Sequence, residues 1–216
     1  MEIKELARRI DHTLLRQDCT ESEIDALCVE ALEFGAASVC IPPCYVARAK
    51  ELLRGKVAVC TVIGFPEGYA TSAAKAAETR DAVANGADEI DMVMNVAALK
   101  SGRTDLVTAD VTAVRAACAG KVLKVILECC LLTDEEKRAA CRCAAKGGAD
   151  YVKTSTGFST GGATVEDVRL MRASIPNTMK VKAAGGIRTV GQAEAFIAAG
   201  ADRIGSSGVL RSLKRV

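Results

Sequence analysis

Lysines and acids stand in the middle of short apolar runs, where a charge is costly to bury unless it is paired or used. Asp91 and Asn95 flank Val93 in Asp91-Met92-Val93-Met94-Asn95. Lys124 and Glu128 share a face of Lys124-Val125-Ile126-Leu127-Glu128. Lys153 lies in Tyr151-Val152-Lys153-Thr154-Ser155-Thr156, and Lys182 in Val181-Lys182-Ala183-Ala184-Gly185. Side chains alternate along a strand, so each charge can turn to one face while its apolar neighbours turn to the other.

Two lysines on neighbouring runs point to amine chemistry. A lysine attacks a carbonyl only as the free amine, and an ordinary pKa of ~10.4 keeps it protonated at neutral pH. Desolvation and a second cation both lower that value, which is one route to a Schiff-base lysine. Asp91 is the acid placed to move protons, alone or through a water. A plainer alternative stays open, in which these charges form a buried ion-pair network with no chemistry. His12 is the sole histidine, so histidine triads are hard to build, and no nucleophile elbow or Walker motif occurs.

Glycines downstream suggest what the site holds. Gly185-Gly186 follows the Lys182 run directly, and Gly205-Ser206-Ser207-Gly208 ends the last run. Backbone N–H groups at such turns bind anions, phosphate above all. Tight turns alone are the competing explanation for these glycines.

Eight apolar runs carry these residues: 10–15, 37–42, 56–65, 89–95, 122–128, 151–155, 179–184 and 203–206. Helical patterns separate them. Thr20 with Glu23, Thr133 with Glu136 and Thr189 with Gln192 have capping-box form, and Thr164 with Asp167 is a looser variant. Gly35-Ala36, Gly86-Ala87-Asp88, Gly148-Ala149-Asp150 and Gly200-Ala201-Asp202 close helices just before a strand, a weak internal repeat. Alternating strands and helices with buried strands imply a parallel sheet. Eight strands and no early dinucleotide fingerprint favour a closed barrel over an open doubly wound sheet. The expected architecture is α/β, a single (β/α)8 TIM-barrel domain over 1–216 with a short N-terminal helix, its site at the C-terminal ends of the strands.

Composition narrows the partners. Half of the 216 residues are hydrophobic, which excludes a disordered chain. The net charge is +2, aromatics make up 3% and there is no Trp, so nucleic acid is not an expected partner. No run reaches the ~20 apolar residues of a membrane span, and the charged N-terminus lacks a signal-peptide core, so the expected location is the cytoplasm. The ten cysteines contain no C-x-x-C pair, and neither a metal site nor another cofactor is expected. Homo-oligomerisation stays open.

Four stretches of the chain resemble the deoxyribose-phosphate aldolase family: Ile10-Asp11-His12-Thr13-Leu14-Leu15, Asp88-Glu89-Ile90-Asp91-Met92-Val93, Tyr151-Val152-Lys153-Thr154-Ser155-Thr156-Gly157-Phe158 and Val181-Lys182-Ala183-Ala184-Gly185-Gly186-Ile187-Arg188. The resemblance implies a metal-independent class I aldolase that reversibly cleaves 2-deoxyribose 5-phosphate into acetaldehyde and glyceraldehyde 3-phosphate. It places the Schiff-base lysine on Lys153, a second lysine that tunes it on Lys182, and the strand-four acid on Asp91. Asp11 and Lys124 take supporting roles. Phosphate and substrate contacts fall on Thr156, Gly157, Gly185, Gly186, Gly205, Ser206 and Ser207. In two respects the chain departs from the family pattern. Its last loop, 205–208, is one residue shorter, and it ends at Val216 without the tyrosine-ended tail of some members. A phosphosugar isomerase or synthase on the same barrel, or a non-catalytic phosphometabolite-binding protein, are the rival readings.

Overall fold

The computed structural model describes residues 1–213; positions 214–216, the end of the expected domain and of the tail, lie outside the described residues. Eight strands form: β1 (Ile10–Thr13), β2 (Ser38–Ile41), β3 (Ala58–Ile63), β4 (Glu89–Val93), β5 (Val122–Ile126), β6 (Tyr151–Lys153), β7 (Lys180–Ala184) and β8 (Arg203–Ser206). Each falls inside one of the eight apolar runs. All pair in parallel in chain order, and β8 closes on β1 with Ile10 opposite Ile204 and His12 opposite Ser206. The closed barrel, not the open sheet, is the architecture. Several runs overshoot their strands because the chain stays apolar as it enters the loops, as at Leu14, Leu15, Phe65 and Met94.

The helices are α1 (Ile3–Ala7), α2 (Glu21–Phe34), α3 (Val46–Leu53), α4 (Ser72–Ala84), α5 (Val96–Lys100), α6 (Thr104–Ala117), α7 (Asp134–Lys146), α8 (Val165–Ser174), α9 (Val190–Ala198) and α10 (Val209–Leu213). Reciprocal capping boxes start α2, α7 and α9 at Thr20, Thr133 and Thr189. At α8 only half the box forms. Thr164 accepts the Asp167 N–H, but the Asp167 carboxylate pairs at 2.6 Å with Lys137 of α7 instead of reaching back.

The internal repeat has a physical role beyond stopping helices. Gly35 closes α2 at φ 67, where an L-residue would be strained. In the three Gly-Ala-Asp copies the aspartate then accepts a backbone N–H from the preceding strand: Asp88 from Val59, Asp150 from Leu123 and Asp202 from Val181, at 2.7–3.0 Å. Each also pairs with a base on a helix, namely Lys50, Arg115 or Arg172. These clamps fix the N-terminal rim of the barrel, opposite the loops that carry the site.

Alternation along the strands sorts the side chains as a buried parallel barrel requires. Ile10, Val39, Ile90, Met92, Val125, Val152, Val181 and Ile204 face outward and pack with Ile24, Leu27, Val111, Val114, Met171 and Phe196 of the helices. Burying each such side chain fully contributes roughly 1.5–3 kcal/mol. The inward positions are different in kind. Cys40, Cys60 and Val62 form a small apolar cluster of their own with Leu15 and Phe65, and charged groups fill much of the rest.

Candidate active site

Asp91 is the centre of the barrel interior. It is fully buried, and both its oxygens are taken. Oδ1 accepts from Lys124 Nζ at 2.8 Å and from the Cys60 thiol at 3.1 Å. Oδ2 accepts from Lys153 Nζ at 2.8 Å and Lys182 Nζ at 2.7 Å. Strand register produces this convergence, because Asp91 pairs with Lys124 across β4–β5 and Lys153 with Lys182 across β6–β7. Four residues singled out in the sequence therefore meet at one carboxylate.

Asp11 extends the network toward β1 and β8. Its Oδ2 lies 2.5 Å from Lys182 and 3.9 Å from Lys124, and its Oδ1 accepts from Arg203 at 2.5 Å and Ser38 at 2.7 Å. Glu89 lies 2.6 Å from Lys124 and 3.4 Å from Arg203. Burial alone would raise both aspartates, but neighbouring cations outweigh it. Lys182, Arg203 and Lys124 hold Asp11 below the usual carboxylate range, and Lys124, Lys153 and Lys182 do the same to Asp91. By the converse effect, burial presses Lys182 and Lys124 toward the neutral form and the surrounding carboxylates more than reverse it, so both are held protonated.

The count of charges is instructive. Four cations (Lys124, Lys153, Lys182, Arg203) face three carboxylates (Asp11, Glu89, Asp91). One cation is in excess. Lys153 is the member of this set that lines the open cavity above, and it is 2% exposed where Lys124 and Lys182 are at 0%.

That cavity has a volume of about 400 Å³ and opens at the C-terminal ends of the strands. Thr156, Gly157, Gly185, Gly186, Gly205, Ser206 and Ser207 all line it together with Lys153. Gly205 also makes room for the network. A Cβ there would come within 3.1 Å of Lys182 Cε and 2.9 Å of the Ala184 Cβ. The two serines differ. Ser206 donates to the Ile187 carbonyl at 2.7 Å and accepts the N–H groups of Gly208 and Val209, so its hydroxyl is engaged within the protein. Ser207 is exposed toward the cavity mouth.

Two expectations about inward-facing groups change, and two residues join them. Glu128 does not pair with Lys124 although they share the run; the chain leaves β5 after Ile126, and Glu128 bonds the β6 loop at Thr156. Asn95 caps α5 by accepting the Ala98 N–H at 3.0 Å. Glu89 and Arg203 belong to the network, though only their place at the start of a strand marked them in the sequence. Arg16, Arg188 and Arg211 also line the cavity. A cluster of Cys40, Cys60 and Asp91 has donor atoms within 4.8 Å of one another. Lysine ammonium groups already occupy the Asp91 oxygens there, which makes the cluster a poor cation site.

Comparison with known proteins bears on the fold and the family. The profile of the DeoC/LacD family aldolases matches residues 6–214. A deoxyribose-phosphate aldolase of Streptococcus pneumoniae is 58% identical over 97% of this chain and 96% of its own. A solved structure from Coccidioides immitis, provisionally assigned as a deoxyribose-phosphate aldolase, superposes with a TM-score of 0.95 at 45% identity, covering 99% of this chain and 87% of that one. The tetrameric deoxyribose phosphate aldolase of Aeropyrum pernix superposes at 0.90 with 36% identity, over 99% and 92%. With a family match across nearly the whole chain and a lysine–aspartate centre beneath a glycine-lined cavity, the chain belongs to the DeoC/LacD family of aldolases.

Proposed function

We propose that this protein is a deoxyribose-phosphate aldolase that works through a Schiff base on Lys153. The observation that carries the reading is the position of Lys153, bound to Asp91 at 2.8 Å and open to the cavity, with cationic Lys182 on the same carboxylate oxygen.

The reaction starts with the Lys153 amine adding to the aldehyde carbon of the open-chain sugar. Loss of water from the carbinolamine gives an iminium, with Lys182 and Asp91 moving the protons. A base then takes the proton of the C3 hydroxyl. The C2–C3 bond breaks, its electron pair flows to the iminium nitrogen, and glyceraldehyde 3-phosphate leaves. Protonation of the remaining enamine at carbon and hydrolysis of the new iminium release acetaldehyde and restore Lys153. In this reading Asp11 and Lys124 hold Lys182 and Asp91 in place. Thr156, Gly157, Gly185, Gly186, Gly205 and Ser207 receive the phosphate end, and Ser206 shapes their loop from behind.

Ten free thiols fit a reducing compartment such as the cytoplasm. No helix among the described residues is long and apolar enough to cross a membrane. The tetramer formed by the Aeropyrum pernix relative supports self-association here, to be read by sedimentation.

Borohydride reduction in the presence of acetaldehyde tests the mechanism. A stable two-carbon adduct on Lys153 is expected, and Lys153→Met should lose both adduct and cleavage. An isomerase that uses Asp91 as its base, or a binding protein without catalysis, would form no adduct.

A further inference from the structure

Glu128 combines three features that the reaction scheme leaves unused. Its backbone takes φ 56 and ψ 63, a left-handed conformation unfavourable for an L-residue with a long side chain. Its side chain is buried at 3% exposure. Its carboxylate accepts three bonds from Thr156 and a long one, 3.9 Å, from the Cys130 thiol. The Thr156 N–H approaches both carboxylate oxygens at 3.3 Å, and the Thr156 hydroxyl donates to Oε2. Strain of this kind persists only where the surroundings over-determine it, and it concentrates at functional sites.

Thr156 passes the constraint onward. Its hydroxyl oxygen accepts the Phe158 N–H at 3.1 Å, which closes a tight turn around Gly157, held at φ 86. That turn lines the main cavity beside Gly185 and Gly186, while Glu128, with Thr156 and Phe158, lines a separate small cavity shared with Val93 and Leu131. A carboxylate so close to an anion site repels the anion, so its use there is intelligible only if its bonds set the turn. A carboxylate is the acceptor that forms the strongest such bonds.

We propose that Glu128 is a positioning residue for the phosphate end of the substrate. It orients the turn at 156–158, and through it governs the preference for a phosphorylated over an unphosphorylated sugar. The inference rests on the phosphate site proposed above.

The test compares kcat/KM for 2-deoxyribose 5-phosphate and for 2-deoxyribose in the wild type, Glu128→Asn and Glu128→Gln. Asparagine tolerates the left-handed backbone but falls short of Thr156, whereas glutamine keeps the reach and one oxygen acceptor. The asparagine variant should lose roughly tenfold or more of the preference for the phosphorylated sugar, expressed mainly in KM. Glutamine should recover part of that loss. If Glu128→Asn does not fold, the fall in preference in Glu128→Gln carries the same comparison. Wild-type preference retained in the folded variants, or an equal fall on both sugars, overturns the inference while leaving the phosphate site standing. A wild type with no preference for the phosphorylated sugar overturns the phosphate site and this inference together.

Discussion

Lys153 and Lys182 place their Nζ atoms on a single oxygen, Oδ2 of Asp91, at 2.8 and 2.7 Å. A proton given up by one amine is thus within hydrogen-bond reach of a carboxylate that also touches the other. The two lysines differ in what else surrounds them. Lys182 has Asp11 at 2.5 Å and stays charged, whereas Lys153 faces the cavity. Replacing Lys182 by methionine keeps the length and removes the proton donor. The expected result is a fall in kcat of about 10²–10⁴-fold, the usual range for a general acid or base. Single-turnover trapping should show a slower Lys153 adduct. An unchanged kcat would remove Lys182 from the proton path.

Asp91→Asn should be the most destabilising single change in the barrel interior. The variant leaves Lys124, Lys153 and Lys182 around a neutral amide, all at 3% side-chain exposure or less. Removing one partner from a buried ion pair costs about 3–5 kcal/mol, because the remaining charges stay desolvated. Urea unfolding reads this directly as a lowered midpoint. A midpoint within error of the wild type would mean that water or a shifted proton already compensates the lysines.

The same network sets the acid limit of stability. Asp11 and Asp91 have folded-state pKa values below the ordinary 3.8, held there by Lys182, Arg203 and Lys124 for Asp11 and by the three lysines for Asp91, against the opposing effect of burial. Their contribution is therefore fully present above pH ~4 and is lost as pH falls from there through the folded values. Lys124 and Lys182 behave in the opposite sense. Raised above 10.5, they contribute fully below that pH and lose their contribution as it rises through their folded values. Unfolding free energy measured from pH 3 to 7 should fall on the acid side, and Asp11→Asn should flatten that slope. An equal acid slope in the variant would assign acid sensitivity to other carboxylates.

Legibility in the sequence followed periodicity. Lys124, Lys153, Lys182 and Asp91 were visible because a charge interrupts an apolar run at a position two-residue alternation turns inward. The eight strands were visible for the same reason. Glu128 was visible as a charge but not in its role, since alternation fails once the backbone turns left-handed at φ 56. Glu89 and Arg203 looked like ordinary strand-end charges; only barrel closure, which sets β8 against β1 and carries Arg203 to Asp11, makes them interior. Two of the cavity arginines, Arg16 and Arg188, come from separate loops and Arg211 from α10, and no local spacing links the three.

Adjacent serines in the last loop should respond differently to the same substitution. Ser206→Ala removes a hydroxyl that donates to Ile187 and accepts from Gly208 and Val209. Loss of a capping side chain of this kind costs about 0.5–2 kcal/mol, so the melting temperature should drop. Ser207→Ala removes an exposed hydroxyl, and its effect on stability should stay within about 0.5 kcal/mol. Inorganic phosphate separates the two further, because a ligand that binds the folded state raises the melting temperature by more the tighter it binds, through RT ln(1 + L/Kd) at free ligand concentration L. The Ser207 variant should melt like the wild type without phosphate and gain less when phosphate is added. The Ser206 variant should start lower. If Ser207→Ala gains as much from phosphate as the wild type, its hydroxyl does not touch the anion, and the backbone of the glycine loops carries the site.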